Sequence, residues 1–149
     1  MLLPKSATCS AKLKLQRNSK FRLSLGKLMR VCGHSMAPLL QPGELVFVRG
    51  GEFESRPPQR GDVVAVRPAS LGGTAFVKRV VGLPHERVSV GERVWQLEED
   101  EFFLLGDQPD HSLDSRIFGP VMREELIGRV RACVWPWRRF RTSTAQGGA

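Results

Sequence analysis

The chain has 149 residues, of which 41% are hydrophobic, and its 23 basic and 15 acidic residues give a formal net charge of +8. A chain of this length forms one domain that buries a sizeable core without help from disulfides or metals. Its apolar runs fall well short of the roughly 18–20 residues of a membrane-spanning helix, so no transmembrane segment is expected.

The first element in chain order is a basic arm. Residues 1–30 hold eight basic residues and no acidic one, whereas the rest of the chain holds equal numbers of each sign. The whole net charge therefore lies in this arm, which we expect to be a flexible, solvated leader. Its charge could also contact an anionic membrane surface, nucleic acid or an acidic partner. No uninterrupted apolar run follows the basic residues, so the arm is not predicted to be a signal peptide. Nucleic acid is not an expected partner.

After the arm, short β-type runs alternate with Gly- and Pro-containing turns. This pattern predicts a mostly β fold, with a coiled sheet or partial barrel, in a single domain over residues 31–137. A basic and polar tail, residues 138–149, follows it. Residues 122–126 are predicted to form a single helical turn. The predicted strands are residues 45–48, 62–66, 76–83, 87–90, 94–97, 102–105 and 127–135.

A serine stands in the first turn after the arm. Residues 33–40 read Gly-His-Ser-Met-Ala-Pro-Leu-Leu, which places Ser35 between turn-forming residues and ahead of an apolar pair. Serine is a poor nucleophile until a neighbouring base accepts its proton. Taken alone, Ser35 is better interpreted as an ordinary turn serine.

A lysine interrupts the apolar strand at residues 76–83. Lysine has an unperturbed pKa near 10.4, so an exposed Lys78 would be protonated at neutral pH and could not act as a base. Burial among its apolar neighbours would lower that pKa, and a shift of roughly three units corresponds to about 4 kcal/mol. The alternative is a structural lysine whose ammonium group reaches water.

A third polar segment, residues 106–121, lies between apolar runs and is rich in hydroxyls and carboxylates that could orient a buried amine. Its alternative interpretation is a surface loop held by Asx turns and an Asp114–Arg116 pair.

Four blocks, taken together and in order, make the chain resemble the type I signal peptidase family, the Ser/Lys peptidases. The resemblance extends from about Val31 to Val134. It implies a signal-peptidase-type β fold. The blocks are residues 33–40, residues 60–64 (Arg-Gly-Asp-Val-Val), residues 78–84 (Lys-Arg-Val-Val-Gly-Leu-Pro) and residues 106–121.

The resemblance implies a role for each matching residue. Ser35 would be the nucleophile, Lys78 the general base, and Ser112 the residue that holds the lysine amine. The Ser35 backbone N–H would bind the oxyanion. Some members add a serine hydroxyl two residues before the nucleophile, but Gly33 stands there in this chain.

Further positions are implied to shape the site. Asp114 and Arg116 would pair, and Asp107 would support their loop. Met36 and Pro38, within the serine block, are expected to contact substrate. No metal or organic cofactor is implied.

The chain looks most like the small nickel-type superoxide dismutase maturation proteases. This resemblance is carried by its short form, by Gly-His-Ser-Met-Ala-Pro at residues 33–38 and by Asp-Ser-Arg-x-Phe-Gly-Pro-Val at residues 114–121. The resemblance therefore implies an endopeptidase that removes an N-terminal leader from a protein substrate, with nickel-type superoxide dismutase as the expected one. Any nickel would belong to that substrate. The alternative is general signal-peptidase processing of exported preproteins.

Other mechanisms and classes stay open. His111 with Asp107, Asp110 or Asp114 would make a Ser/His/Asp triad. Cys32 could be considered as a nucleophile, but we expect it to be a small buried apolar residue. The self-cleaving repressors also use Ser/Lys chemistry, but they carry an upstream DNA-binding domain for which residues 1–30 are too short. A non-catalytic binding module would use the arm and residues 135–139, Trp-Pro-Trp-Arg-Arg.

The three cysteines are odd in number and show no CxxC spacing. This argues against a disulfide framework or a zinc–thiolate site and favours a reducing compartment. We therefore expect a cytoplasmic or membrane-peripheral protein.

Overall fold

The structure, a computed structural model, describes residues 26–139. Within this range the chain forms ten strands, joined by short loops and single helical turns. The strands are β1 Lys27–Arg30, β2 Leu45–Arg49, β3 Val63–Val66, β4 Phe76–Gly82, β5 Arg87–Val90, β6 Arg93–Gln96, β7 Glu101–Leu105, β8 Val121–Met122, β9 Leu126–Trp135 and β10 Trp137–Arg139.

The helical segments are all short. One four-residue α-helix, α1, spans Ser115–Phe118. The predicted single turn at residues 122–126 is present as a 3₁₀ turn at Arg123–Glu125. The other 3₁₀ turns are Glu52–Glu54, Ala69–Leu71 and Pro109–His111.

Eight strands join in one antiparallel sheet in the order β1-β2-β9-β3-β4-β7-β8, with β10 added beside β9. The hairpin β5–β6 forms a separate two-stranded sheet. The long strand β9 pairs with β2 along one side and with β3 and β10 along the other. The β2–β9, β3–β9 and β4–β7 ladders each contain a register shift. Irregularities of this kind bend a strand and increase its twist, which curves the sheet. The predicted mostly β, coiled-sheet fold is confirmed.

Two hydrophobic clusters lie on opposite faces of β3. Val63 and Ala65 point into the first cluster, and Val64 and Val66 point into the second. Because side chains alternate along a strand, an unbroken apolar run is what a strand buried on both faces requires. The apolar run at residues 63–66 is thus explained by the central position of β3.

The sheet extends beyond the domain boundaries that we expected. Residues 27–30, assigned to the arm, form β1 and pair with residues 45–48 of β2. At the other end, β10 continues to residue 139. The rest of the arm, residues 1–25, and of the tail, residues 140–149, lies outside the described residues, so their flexibility stays a prediction.

The cysteines differ from expectation. Cys32 is disulfide-bonded, although the odd number of cysteines argued against such a bond. It is also exposed rather than buried, and as a disulfide it is not a thiol nucleophile. Cys133 is a buried free thiol on β9, and its Sγ donates to the Trp135 carbonyl. The cysteines therefore give no support to the expected reducing compartment.

Candidate active site

Ser35 lies in the loop between β1 and β2. The loop is closed at its base by a hydrogen bond from the Val31 N–H to the Glu44 carbonyl, 2.8 Å. The side chains of Met36 and Leu40 are buried in the first core cluster and anchor the turn from below. The Ser35 hydroxyl is therefore held at a fixed, half-buried position instead of on a free loop.

Lys78 lies on β4 and its side chain is only 2% exposed. Its Nζ donates to Ser35 Oγ over 2.7 Å, across a sequence separation of 43 positions. The same Nζ lies 5.6 Å from the centroid of the Phe76 ring, one pleat along the strand. The structure thus brings together the two residues expected to be nucleophile and base.

The environment of Lys78 makes its amine easier to deprotonate than that of an exposed lysine. Burial lowers its pKa from 10.5 to about 8, although the negative charge of Asp114 opposes this. The positive charge of Arg116 lowers the pKa further, and Asp107 raises it. A shift of this size amounts to about 3 kcal/mol and leaves about half of the amines neutral near pH 8.

Asp114 and Arg116 form a closely fitted pair beside the lysine. The Asp114 carboxylate is fully buried and accepts from Arg116 Nε and Nη2, both at 2.9 Å. It also accepts the Gly106 N–H at 3.0 Å and the Arg116 N–H at 3.2 Å, which caps α1. Burial raises the pKa of Asp114, but these hydrogen bonds outweigh it and hold the pKa below its usual value. Asp114 therefore remains a carboxylate near Lys78.

Asp107 binds Arg79, the residue that follows the lysine on β4. Its two oxygens each accept from Arg79, from Nε and Nη2, at 2.7 Å. Arg79 Nη1 also donates to the Gly61 carbonyl at 2.8 Å. Asp107 thereby ties the 106–118 loop to β4 and to the second sequence block. Our sequence reasoning missed Arg79. The signal that could have found it is strand alternation, which directs the side chains of Lys78 and Arg79 to opposite faces of the sheet.

Ser112 is placed differently from its expected role. Its Oγ is buried but has no hydrogen-bond partner, so it is not bonded to the Lys78 amine. The Ser112 hydroxyl lies close enough to the Asp114 carboxylate to help lower the pKa of Asp114, but the two groups do not have normal hydrogen-bond geometry. The hydroxyl lies against Gly106, where an added Cβ would be 2.2 Å from Ser112 Oγ and 2.7 Å from the Ser35 carbonyl oxygen. Gly106 is therefore a site residue that our sequence reasoning did not single out.

The other expected site positions surround the turn. Gly33 has a φ of +80°, and a Cβ there would meet no atom within 4 Å, so it leaves open space beside Ser35. Pro38 is exposed and follows a cis peptide bond. Met36 is 1% exposed and packs in the core.

Among the described residues, the side-chain hydrogen bond of the Ser35 hydroxyl is with Lys78, not with His34 or His111. Both imidazoles are exposed, and their centroids are 6.4 Å apart. The geometry therefore favours the lysine over the Ser/His/Asp alternative.

The second sequence block contributes a buried ion pair. Asp62 and Arg129 are 4% and 1% exposed, and Arg129 Nε and Nη2 reach Asp62 Oδ2 at 2.9 and 2.7 Å. Glu52 approaches the same guanidinium at 3.4 Å, and the Phe53 ring lies 5.2 Å from it. This cluster fixes β9 against the loop before β3. Our sequence reasoning missed Arg129, which only the sheet pairing brings to Asp62.

Among residues 26–139, no helix is long and apolar enough to cross a membrane. Across the same residues, no group of three or more His, Cys, Asp or Glu side chains is arranged to hold a metal ion.

The chain is similar to known peptidases over most of the described residues. The profile of the family described as signal peptidase, peptidase S26, matches residues 20–95 and 91–135. Signal peptidase I of Leptolyngbya laminosa is 34% identical over 137 residues, covering 71% of this chain and 67% of that protein. A probable signal peptidase I-2 of Synechocystis is 29% identical over 130 residues, covering 68% and 60%.

A third relative is the mitochondrial ATP-independent inner membrane protease subunit 1b of Arabidopsis thaliana. It is 32% identical over 125 residues, covering 78% of this chain and 74% of that protein. The chain thus spans 60% to 74% of the length of these three relatives.

Proposed function

Because the chain belongs to the signal peptidase family, peptidase S26, we propose that it is a serine endopeptidase that removes N-terminal leaders from proteins with a Ser35/Lys78 dyad. The hydrogen bond of 2.7 Å between Lys78 Nζ and Ser35 Oγ carries this proposal. The lowered pKa of Lys78 supports it, since the amine must be neutral to accept the serine proton.

The reaction follows from this geometry. Neutral Lys78 accepts the Ser35 proton as Oγ bonds to the scissile carbonyl carbon, giving a tetrahedral oxyanion. As the C–N bond breaks, the Lys78 ammonium returns the proton to the leaving amine, and an acyl-enzyme ester remains. Lys78 then takes a proton from water, whose oxygen attacks the ester, and returns it to Ser35 as the acid product leaves.

The oxyanion would be stabilised by the Ser35 backbone N–H. Gly33 supplies no hydroxyl at the position where some members have a serine. One fewer hydrogen-bond donor costs transition-state stabilisation, so we expect this enzyme to be slower than a member with that serine.

An unpaired strand edge beside Lys78 supports a leader peptide as substrate. The ladder between β4 and β7 begins at Arg79, opposite Leu105, so Phe76 to Lys78 have no strand partner on that side among the described residues. An extended peptide can add to such an edge by main-chain hydrogen bonds. This would bring its carbonyl past the Ser35 hydroxyl.

Two substrate classes fit this chemistry. The relatives reported above are named signal peptidases and an inner membrane protease. They support general processing of preproteins better than the narrower expectation of nickel-type superoxide dismutase maturation. We therefore propose general leader processing first, with the dismutase precursor as the specific alternative.

We propose that the enzyme works at a membrane surface rather than free in the cytoplasm. One relative is named for the mitochondrial inner membrane. In this chain, Trp135 and Trp137 are each 65% exposed at the β9–β10 hairpin, and Arg138 follows them. Exposed tryptophans beside cationic residues are favoured at the headgroup level of a bilayer. Contact through the arm stays a prediction.

The test is cleavage of a reporter preprotein with small residues at its cleavage point, with mass spectrometry of the new N-terminus. Ser35→Ala and Lys78→Met should each reduce cleavage at least a thousandfold, whereas Lys27→Met, a surface change on β1, should not. Wild-type cleavage by Ser35→Ala would contradict the mechanism. Binding of the preprotein or of anionic vesicles without any cleavage would favour the binding module.

Co-expression separates the two substrates. A nickel-type superoxide dismutase precursor and an unrelated preprotein are each expressed with this chain, and their mature N-termini are sequenced. Trimming of both supports general processing; trimming of the dismutase alone supports the dedicated role.

A further inference from the structure

We propose that His34 and His111 together bind a divalent transition-metal ion of the Zn²⁺ or Ni²⁺ type beside Ser35, and that this ion inhibits cleavage. The binding half stands on the geometry of the two imidazoles. The inhibition half rests on the proposed function.

The two histidines lie where two site segments meet. His34 precedes Ser35 and His111 precedes Ser112, and the ring centroids are 6.4 Å apart with planes inclined by 59°. Metal–imidazole bonds are about 2.0–2.1 Å, which sets the centroids of two imidazoles on one ion roughly 5–6 Å apart. Both side chains are exposed, so a small rotation about χ1 or χ2 closes the difference.

The backbone holds the pair in place. The Gln108 N–H donates to the Ser35 carbonyl at 2.9 Å, and the His111 N–H donates to the Gln108 carbonyl at 3.2 Å. The two segments are therefore bonded to each other directly next to the imidazoles. Once one imidazole has bound an ion, the second imidazole is held nearby at a high effective concentration. The two segments then need little further ordering to bind the ion together.

The ligand type selects the ion. Neutral imidazole suits Zn²⁺, Ni²⁺ and Cu²⁺, whereas Mg²⁺ and Ca²⁺ prefer oxygen ligands. No third His, Cys, Asp or Glu joins such a group in the part of the chain that the structure describes. An ion held by two imidazoles keeps open positions for water, which suits reversible binding rather than a closed structural site.

The position of the ion explains inhibition. It would bridge the Ser35 loop and the 106–118 loop next to the nucleophile, where the ion and its water ligands would hinder an approaching peptide. It would also add two positive charges near Lys78 and cross-link segments that must adjust to the tetrahedral intermediate.

The binding test is isothermal titration of the full chain with NiCl₂ or ZnCl₂, with MgCl₂ as the reference salt. We expect one equivalent of Ni²⁺ or Zn²⁺ to bind and Mg²⁺ not to compete. His34→Asn and His111→Asn should each weaken binding at least tenfold, and the double variant should be little worse than either. His85→Asn is the matched control, because His85 is exposed, is the remaining histidine of the chain, and has a φ of +66° that Asn tolerates.

Several results would overturn the site: no binding by the wild type, unchanged binding by both single variants, or equal weakening by His85→Asn. Cleavage is then measured with added Ni²⁺, each rate being expressed relative to the same variant's metal-free rate. We expect chelator-reversible inhibition of the wild type and an inhibitory concentration at least tenfold higher for His111→Asn. Binding without inhibition would overturn the inhibitory role alone. A lack of metal-free cleavage in every variant would instead contradict the proposed function, and the titration would still decide the binding site.

Discussion

The Lys78 amine donates to the Ser35 hydroxyl over 2.7 Å from a side chain that is only 2% exposed. The burial that brings the two groups together also lowers the pKa of the amine. Burial of this amine therefore has two effects. It favours the neutral form, which can accept a proton, and it makes the charged form of Lys78 unfavourable in the folded protein.

The rate of cleavage should depend on the protonation of Lys78. Since its pKa is about 8, kcat/KM should rise with pH and reach half of its plateau near pH 8, with about a tenth of the amine neutral at pH 7. The measurement is a pH–rate profile from pH 6 to 10. A midpoint near 6.5 would indicate a histidine base instead.

Replacing Lys78 with Met should stabilise the protein at neutral pH. The pKa of Lys78 is about 8 in the folded state and 10.5 unfolded, so the unfolded chain binds more protons between these values. Wild-type stability should therefore rise from pH 8 to pH 10.5 and stay low below pH 8.

Lys78→Met removes this protonation cost. We expect its free energy of unfolding to exceed the wild-type value by about 1–3 kcal/mol at pH 7, with the difference shrinking towards pH 10.5. Urea denaturation at pH 7 and pH 10 checks this, with Lys27→Met as the surface control. A less stable variant at pH 7 would mean that Lys78 contributes more through its hydrogen bond than it loses by burial.

Arg116→Ala should shift the pH–rate profile upward. The positive charge of Arg116 lowers the pKa of Lys78, and its hydrogen bonds hold down the pKa of the buried Asp114. Its removal should raise both pKa values and destabilise the fold by about 1–3 kcal/mol near pH 8. Arg116→Lys should keep the pH midpoint but lose part of the stability, because lysine lacks the bidentate fork. Equal midpoints in wild type and Arg116→Ala would exclude this coupling.

Gly106→Ala should disrupt the site without unfolding the domain. The new Cβ would lie 2.2 Å from Ser112 Oγ and 2.7 Å from the Ser35 carbonyl oxygen, and the second atom belongs to the backbone. Ser35 must then move away from Lys78, so we expect kcat to fall at least a hundredfold. Gly50→Ala is the control, since its Cβ would approach only the Ile127 carbonyl, at 3.3 Å. Near wild-type activity in Gly106→Ala would show that the loop adjusts freely.

Arg129→Met should cost stability without changing the chemistry. It leaves Asp62, 4% exposed, as an unpaired buried carboxylate, which costs about 3–5 kcal/mol. The double variant Asp62→Leu/Arg129→Met should recover much of this loss. Urea denaturation measures both effects, and kcat per folded molecule should stay at the wild-type value. A double variant no more stable than Arg129→Met would point to Glu52 as the dominant partner.

Local residue patterns were sufficient to predict the positions of most strands. Each of the seven predicted strands is present within one or two residues of its expected bounds, because apolar runs and Gly/Pro turns are properties of neighbouring residues. β1, β8 and β10 were not predicted. These strands are two to four residues long, too short to carry an alternating pattern, so they are strands because of the neighbours with which they pair.

The residue types of the candidate site and its family resemblance were also readable from the chain. Ser35, Lys78 and the Asp114–Arg116 pair could be nominated from their motifs. The role expected for Ser112 was not matched by a hydrogen bond, and the partnerships of Arg79 with Asp107 and of Arg129 with Asp62 were not foreseen. Such contacts join strands far apart in the chain, and their register depends on the whole sheet.

The sequence alone was therefore enough to establish a mostly β peptidase of the signal peptidase family, and it nominated the side chains that we propose for its chemistry. The lowered pKa of Lys78, about 8, depended on packing, since it requires that the folded protein bury one amine. Desolvation is a property of the assembled surroundings, and no stretch of neighbouring residues specifies it.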